Sequence, residues 1–250
     1  MISINDINRF AKANKLKPHQ QEKHYIQTAI LAGIYNALTD EIIFKGGTAL
    51  FFFYGLDRFS EDLDFTQTKQ YNQKKFKTGI SDVLNLINIS HELKTDKSLK
   101  GKNLKIKAIG PLFRGPRSES FVKIEISERN DIFLSPEIKE IVPIYDDLRP
   151  FTVPVMKKEE ILAEKVRALM TRGKARDLYD LVFLIKKGVS LDCTLIDKKL
   201  SYYKKTYSQQ EFIKKIKSVE ALWQAELHGL VQKPLSYDDV LSFVLKKLES

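Results

Sequence analysis

Two aspartates two residues apart, Asp62 and Asp64, close the segment FKGGTALFFFYGLDRFSEDLDF at residues 44–65. In an extended chain such residues share a face, so both carboxylates point one way while Leu63 and Phe65 point into a core. Carboxylates held side by side repel unless a cation lies between them. A divalent metal, Mg²⁺ or Mn²⁺, arriving with a nucleoside triphosphate is the economical explanation. Upstream, the apolar run Ile42, Ile43, Phe44 reads as a strand that turns on Gly46 and Gly47 into a short apolar helix. Glycines there let the backbone approach a phosphate and present N–H groups at a helix N-terminus. Alone, a Gly-Gly is a tight turn and an Asp-x-Asp a solvated strand end. In this order, each beside an apolar strand, they point to a metal–nucleotide site. Ser60 stands at the entrance of the acidic strand, where its hydroxyl either bonds a phosphate oxygen or caps the turn after Arg58 and Phe59.

The order strand, Gly-Gly, helix, Asp-x-Asp resembles the polymerase-β-type nucleotidyltransferase superfamily. The fuller string GGTAL…YGL.RFSEDLDF resembles its AbiEii-like branch, which includes toxins of type IV toxin–antitoxin systems. Fourteen residues lie between Gly47 and Asp62, a gap longer than the superfamily's usual one and suited to that branch. Gly-Gly replaces the commoner Gly-Ser, so the serine contact to phosphate falls to Thr48 or is missing. The resemblance implies an α+β fold: a nucleotidyltransferase-like mixed sheet flanked by helices (1–155), then a helical domain (156–250) completing the active site. It implies metal-dependent transfer of a nucleotidyl group from an NTP to a hydroxyl, with RNA (a tRNA 3′ end) as acceptor and a cognate antitoxin as partner. It also implies a third carboxylate on a neighbouring strand, serving as base or metal ligand. Glu125 stands in that position within the alternating run 121–127, opposite in face to Val122, Ile124 and Ile126. A surface ion pair with Lys123 is the alternative reading of Glu125.

A second block, KKEEILAEKVRALMTRGKARDLYDLVFLIKKG (157–188), reads as helix, a turn at 171–174 and a helix ending at Gly188. Lys165 falls within the stripe Leu162, Val166, Leu169, where a lysine is costly unless it meets an anion. Asp177 sits one turn before Leu181. AEK…RGKARDLYDL resembles the second motif block of AbiEii-like proteins, which implies that Lys165 holds the triphosphate and Asp177 adds a carboxylate. Asp180 matches a less diagnostic part of that pattern. The other reading is an internal Lys165–Asp177 ion pair pinning a helical hairpin. Arg172, Lys174 and Arg176 in and after the turn offer further phosphate contacts.

The remaining elements position these blocks. Residues 5–38 read as helical, with Pro18 suited to a first helical turn and Ile26, Ile30, Leu31, Ile34, Tyr35 and Leu38 inward, and 72–92 as another helix with Phe76, Ile80, Val83, Leu84 and Ile87 inward. Residues 104–109 and 121–127 alternate as strands, and the proline-bearing stretch 128–156 reads as edge strands and a connection. After residue 190 the chain is helical, with Leu222, Trp223 and Leu227 as core and 237–248 as a closing helix. Lys198, Lys199, Tyr202–Tyr207 and Lys214–Lys217 interleave basic and aromatic residues, a surface that can grip a phosphate backbone or be merely solvated.

Composition bounds the function. A net charge of +10 over 250 residues permits attraction to polyanions. It argues against a cationic small-molecule acceptor. Transfer to a small molecule or protein, and a nucleotide- or RNA-binding module without catalysis, are the rival readings. The lone Cys193 excludes an internal disulfide and fits a reducing cytoplasm. The opening MISINDINRFAKANK lacks the apolar run of a secretory leader, and the longest apolar stretch, 49–54, is too short to span a membrane.

Overall fold

The computed structural model describes residues 1–96, 102–233 and 235–249. Its contacts divide it into two compact units. The first comprises Met1–Ala49, Glu61–Asn130 and Pro136–Val155, and the second Leu50–Ser60, Asp131–Ser135 and Met156–Ser250.

The first unit carries a seven-stranded mixed sheet. Its strands are β1 (Ile42–Lys45), β2 (Leu63–Gln67), β3 (Ser90–Asp96), β4 (Lys102–Ile109), β5 (Ser120–Ser127), β6 (Glu137–Ile141) and β7 (Phe151–Val155). They lie in the order β3-β4-β5-β2-β1-β7-β6. The β2–β5 and β1–β7 pairs are parallel and the others antiparallel. One face is apolar: Phe44 and Phe65 meet with ring centroids 5.3 Å apart, and Leu63, Val122, Ile124 and Ile126 are buried. Helices α1 (Ile4–Ala13), α2 (Pro18–Ala37) and α4 (Gln73–Leu86) complete the unit, α2 packing on β5, β7 and α4.

Residues 5–38 form two helices, parted where Lys15 takes a left-handed φ of 54°, and Pro18, lacking an N–H, stands in the expected first turn of the second. Two expectations for this unit need correction. The helix expected to reach residue 92 stops at Leu86. Asn88 turns the chain with φ 57°, and residues from Ser90 onward pair with β4. The strands within 128–156 are not both edges: β6 is an edge, but β7 lies between β6 and β1. Its ladder to β1 is short, with Phe44 opposite Val155, and that tolerates Pro154 in an interior strand.

Helices α2 and α4 cross at two glycines. A Cβ on Gly33 would sit 2.8 Å from the Ile80 Cα and 2.9 Å from the Gly79 carbonyl carbon, all backbone that cannot yield cheaply. Gly33→Ala should therefore destabilise the protein by about 2 kcal/mol despite alanine's better helix propensity, as read from the urea midpoint. An unchanged midpoint would mean the helices can separate without loss.

The second unit is helical: the part of α3 (Gly46–Tyr54) from Leu50 onward, α5 (Lys158–Thr171), α6 (Ala175–Lys186), α7 (Cys193–Ser201), α8 (Gln209–Ser218), α9 (Glu220–Leu227) and α10 (Tyr237–Glu249). The expected hairpin is present, its turn made by Gly173 at φ 61°. Leu162, Val166, Leu169, Trp223 and Leu227 are core, whereas Leu222 is 43% exposed and is not. Lys199, expected on the basic surface, is wholly buried. Its ammonium lies 2.8 Å from Glu160 and 3.5 Å from Glu164 and donates to the Asp131 carbonyl. Glu160 also accepts from the Phe133 and Leu134 N–H groups, so this cluster fastens the 131–135 segment to α5 and α7. Among the described residues, no helix is long and apolar enough to cross a membrane.

Candidate active site

The acidic motif occupies the sheet face opposite the apolar one. Asp62 lies in a bend just before β2 and Asp64 within it, both half-buried, while Leu63 and Phe65 between and after them are fully buried. Strand register extends the row sideways. Asp64 stands opposite Glu125 on parallel β5, and Glu125 opposite Asn103 on β4. The structure thus brings Asp64 and Glu125 together on one face of adjacent strands, 61 positions apart in the chain. Glu125 also takes the Lys123 ammonium at 2.5 Å, so the ion pair and the carboxylate row coexist.

The glycine turn closes directly on these acids. Gly46 has φ 76°, a conformation that side chains disfavour, and α3 starts on it with no intervening loop. A Cβ there would collide with the Asp64 carboxylate, 3.0 Å from its Cβ and 3.1 Å from its Cγ. Gly46 is therefore needed twice over, for its backbone and for space beside the acid. Gly47 follows it in the first turn of α3. Thr48 is fully buried, and its hydroxyl donates to the Asp62 carbonyl, tying the helix start to the acidic segment.

In the second unit, Lys165 and Asp177 form the ion pair at 3.2 Å within a larger buried network. Lys165 reaches Asp180 more closely, at 2.6 Å. Arg58 grips Asp180 with two bonds of 2.9 Å and also donates to the Phe59 carbonyl at 3.0 Å. Arg172, half-exposed, grips Asp177 at 2.8 and 2.9 Å. Burial by itself would push both carboxyls up. Lys165 and Arg172 outweigh it and hold Asp177 well below the usual carboxylate range. Arg58 and Lys165 do the same for Asp180. Three cations thus surround two buried anions. Ser60 ends the segment that Arg58 anchors, and is half-buried.

Sequence reasoning missed Lys45, Arg58 and the rank of Asp180. Lys45 carried a readable signal, being the charged end of the otherwise apolar strand IIFK, 5% exposed in the structure. Arg58 carried none, since its partner lies 122 residues away.

A mixed sheet with Gly-Gly closing on an Asp-x-Asp strand is the architecture of a nucleotidyltransferase, and this protein is one. Over 94% of this chain and 95% of the other, it matches the crystal structure of JHP933 from Helicobacter pylori with a TM-score of 0.63 at 23% identity. Over 99% of this chain and 88% of the other, it matches MenT4, the nucleotidyltransferase toxin Rv2826c from Mycobacterium tuberculosis H37Rv, with a TM-score of 0.68 at 19% identity. At such identities the likeness is one of fold. No curated protein sequence matches the chain. The chain belongs to the AbiEii family, the nucleotidyl transferase toxins of type IV toxin–antitoxin systems, whose pattern matches residues 29–243.

Proposed function

We propose that this protein transfers a nucleotidyl group from a nucleoside triphosphate to a hydroxyl of RNA, the 3′ end of a tRNA, in the cytoplasm. Growth arrest is the consequence and a cognate antitoxin the counterpart. The observation that carries the reading is the Asp64–Glu125 register, with Gly46 held open beneath the Asp64 carboxylate.

Asp62 and Asp64 are hard oxygen donors that fit Mg²⁺ or Mn²⁺. Among the described residues no three His, Cys, Asp or Glu side chains gather as a protein-only metal site. Such cations are commonly held by one or two carboxylates, with substrate phosphates completing the shell. When bound, the cation would supply charge stabilisation to the triphosphate during in-line displacement. Gly46 and Gly47 present N–H groups to the phosphates at the start of α3. The acceptor oxygen bonds to the α-phosphorus, the bond to the pyrophosphate oxygen breaks, and the hydroxyl proton passes to a carboxylate. Glu125 suits that role better than Asp177, because a carboxyl held as low as Asp177 is a poor proton acceptor. Exposed Lys198, Tyr202, Lys204, Lys205, Lys214, Lys215 and Lys217 are side chains available to an RNA backbone and its bases.

The test is incubation of the full chain with each labelled NTP, Mg²⁺ and total RNA, with an Asp64→Asn control. Label should enter RNA with at least one NTP and vanish with chelator. No incorporation from any of the four sinks the RNA reading. Lys165 is assigned to the triphosphate by family resemblance, and its ammonium must then leave part of its bond to Asp180. Lys165→Ala should weaken NTP binding about tenfold by calorimetry while the protein stays folded, since each aspartate keeps its arginine. Unchanged affinity would make Lys165 an internal ion-pair partner only.

A further inference from the structure

Lys45 occupies the last position of β1, directly opposite Asp64 in the antiparallel β1–β2 register. Directly opposed residues place their side chains on the same face, with Cβ atoms about 5 Å apart. Lys45 therefore shares the face of Asp64 and Glu125, and the register draws one row across four strands: Lys45, Asp64, Glu125, Asn103. Lys45 is 5% exposed, so its ammonium has given up most of its water. A lysine so placed is costly unless it meets an anion. In β2, the bend before it and β5, the anions of this face are Asp62, Asp64 and Glu125. Among the described side chains of β4 and β5, the cations of this face are Lys123, bonded to Glu125 at 2.5 Å, Lys105, which is exposed and lies over the Phe121 ring at 4.6 Å, and Lys107, paired with Glu119 at 2.7 Å.

We propose that Lys45 is the resident counter-ion of the Asp62–Asp64 pair, a positioning residue that holds the carboxylates together before nucleotide and cation arrive. Side-by-side carboxylates would otherwise splay apart. An ammonium built into the adjacent strand sets them at fixed spacing. β1 ends at Lys45 itself, and Gly46 turns the chain directly into α3. This inference deepens the nucleotidyl-transfer reading and rests on it for its purpose, but its physical content can be measured in the absence of substrate.

The experiment is a double-mutant cycle on the full chain in chelator, by thermal melting: wild type, Lys45→Met, Asp64→Asn and the double variant. Lys45→Met should lower the melting temperature by about 5 °C, and adding Asp64→Asn should return much of that loss. Lys45→Arg should melt near wild type, since the charge is kept. Adding Mn²⁺ should raise Lys45→Met more than wild type, the cation replacing a missing ammonium, which a lysine serving only for packing would not produce. Strictly additive effects of the two substitutions would overturn the proposal. If Lys45→Met does not fold, the double variant decides: folding beside Asp64→Asn supports it, failing to fold overturns it. Coupling without any Mn²⁺ response would uphold Lys45 as counter-ion and count instead against the metal reading.

Discussion

Asp64→Asn is expected to reduce nucleotidyl transfer about a thousandfold while leaving the fold intact. The side chain keeps its size and loses only its charge. Asp64 lies beside Gly46, two residues after Asp62, and is the member shared by the Lys45–Asp64 and Asp64–Glu125 pairs of the row. Asp62→Asn should be equally inactive if both carboxylates hold the cation. Removing one of several clustered carboxylates relieves repulsion, and Lys45 still has Asp62 and Glu125 on its face, so melting in chelator should hardly change. The paired measurements are single-turnover labelling and a thermal melt. Full activity in Asp64→Asn would remove the acidic strand from the mechanism. A collapsed melt would make the residue structural.

The largest loss of stability is expected at Arg58. Its guanidinium is 3% exposed, and its partner Asp180 is fully buried. Removing one member of a buried ion pair strands the other without compensation, at a cost of about 3–5 kcal/mol. That is a large share of the 5–15 kcal/mol, roughly, that holds a typical protein folded. Arg58→Met should fall in that range by urea unfolding. Arg58→Met combined with Asp180→Asn should recover part of it, because no carboxylate is then left buried beside a vacated partner. Lys165 stays at Asp180, which limits the damage and explains why recovery should be incomplete. Single and double variants of equal stability to wild type would show that solvent reaches the pair freely.

The same network sets the acid limit of the fold. Asp177 and Asp180 are both held below the ordinary carboxylate range in the folded chain. A group depressed on folding lends stability above its unfolded pKa, near 4, and loses it as pH falls through the folded value. The contribution of this network should therefore be level from pH 7 down to about 4 and decline below that. The urea midpoint of Asp180→Asn should decline less steeply over the acid range than that of wild type. A wild-type midpoint that does not change below pH 4 would contradict the ion-pair network.

Local chemistry was legible in the amino-acid sequence wherever one segment sufficed to express it. Gly46 and Gly47 after an apolar strand, the two-residue spacing of Asp62 and Asp64, the alternation of 121–127 and the helical hairpin after Lys157 each depend on residues close in the chain. Periodicity and turn conformation decide such features, and the fold retains them. Ser90–Glu92 read as the end of a helix because the helical pattern of α4 runs straight into them, whereas only pairing with β4 makes them extended. Register is likewise a relation between strands, so no local pattern could set Lys45 opposite Asp64 or Asp64 opposite Glu125. Burial completes the division. A lysine in sequence is a cation at the surface until packing says otherwise. Only the three-dimensional fold buries Lys199 among Glu160, Glu164 and Asp131, and joins Arg58 to Asp180, because desolvation and its compensation depend on groups far apart in the chain.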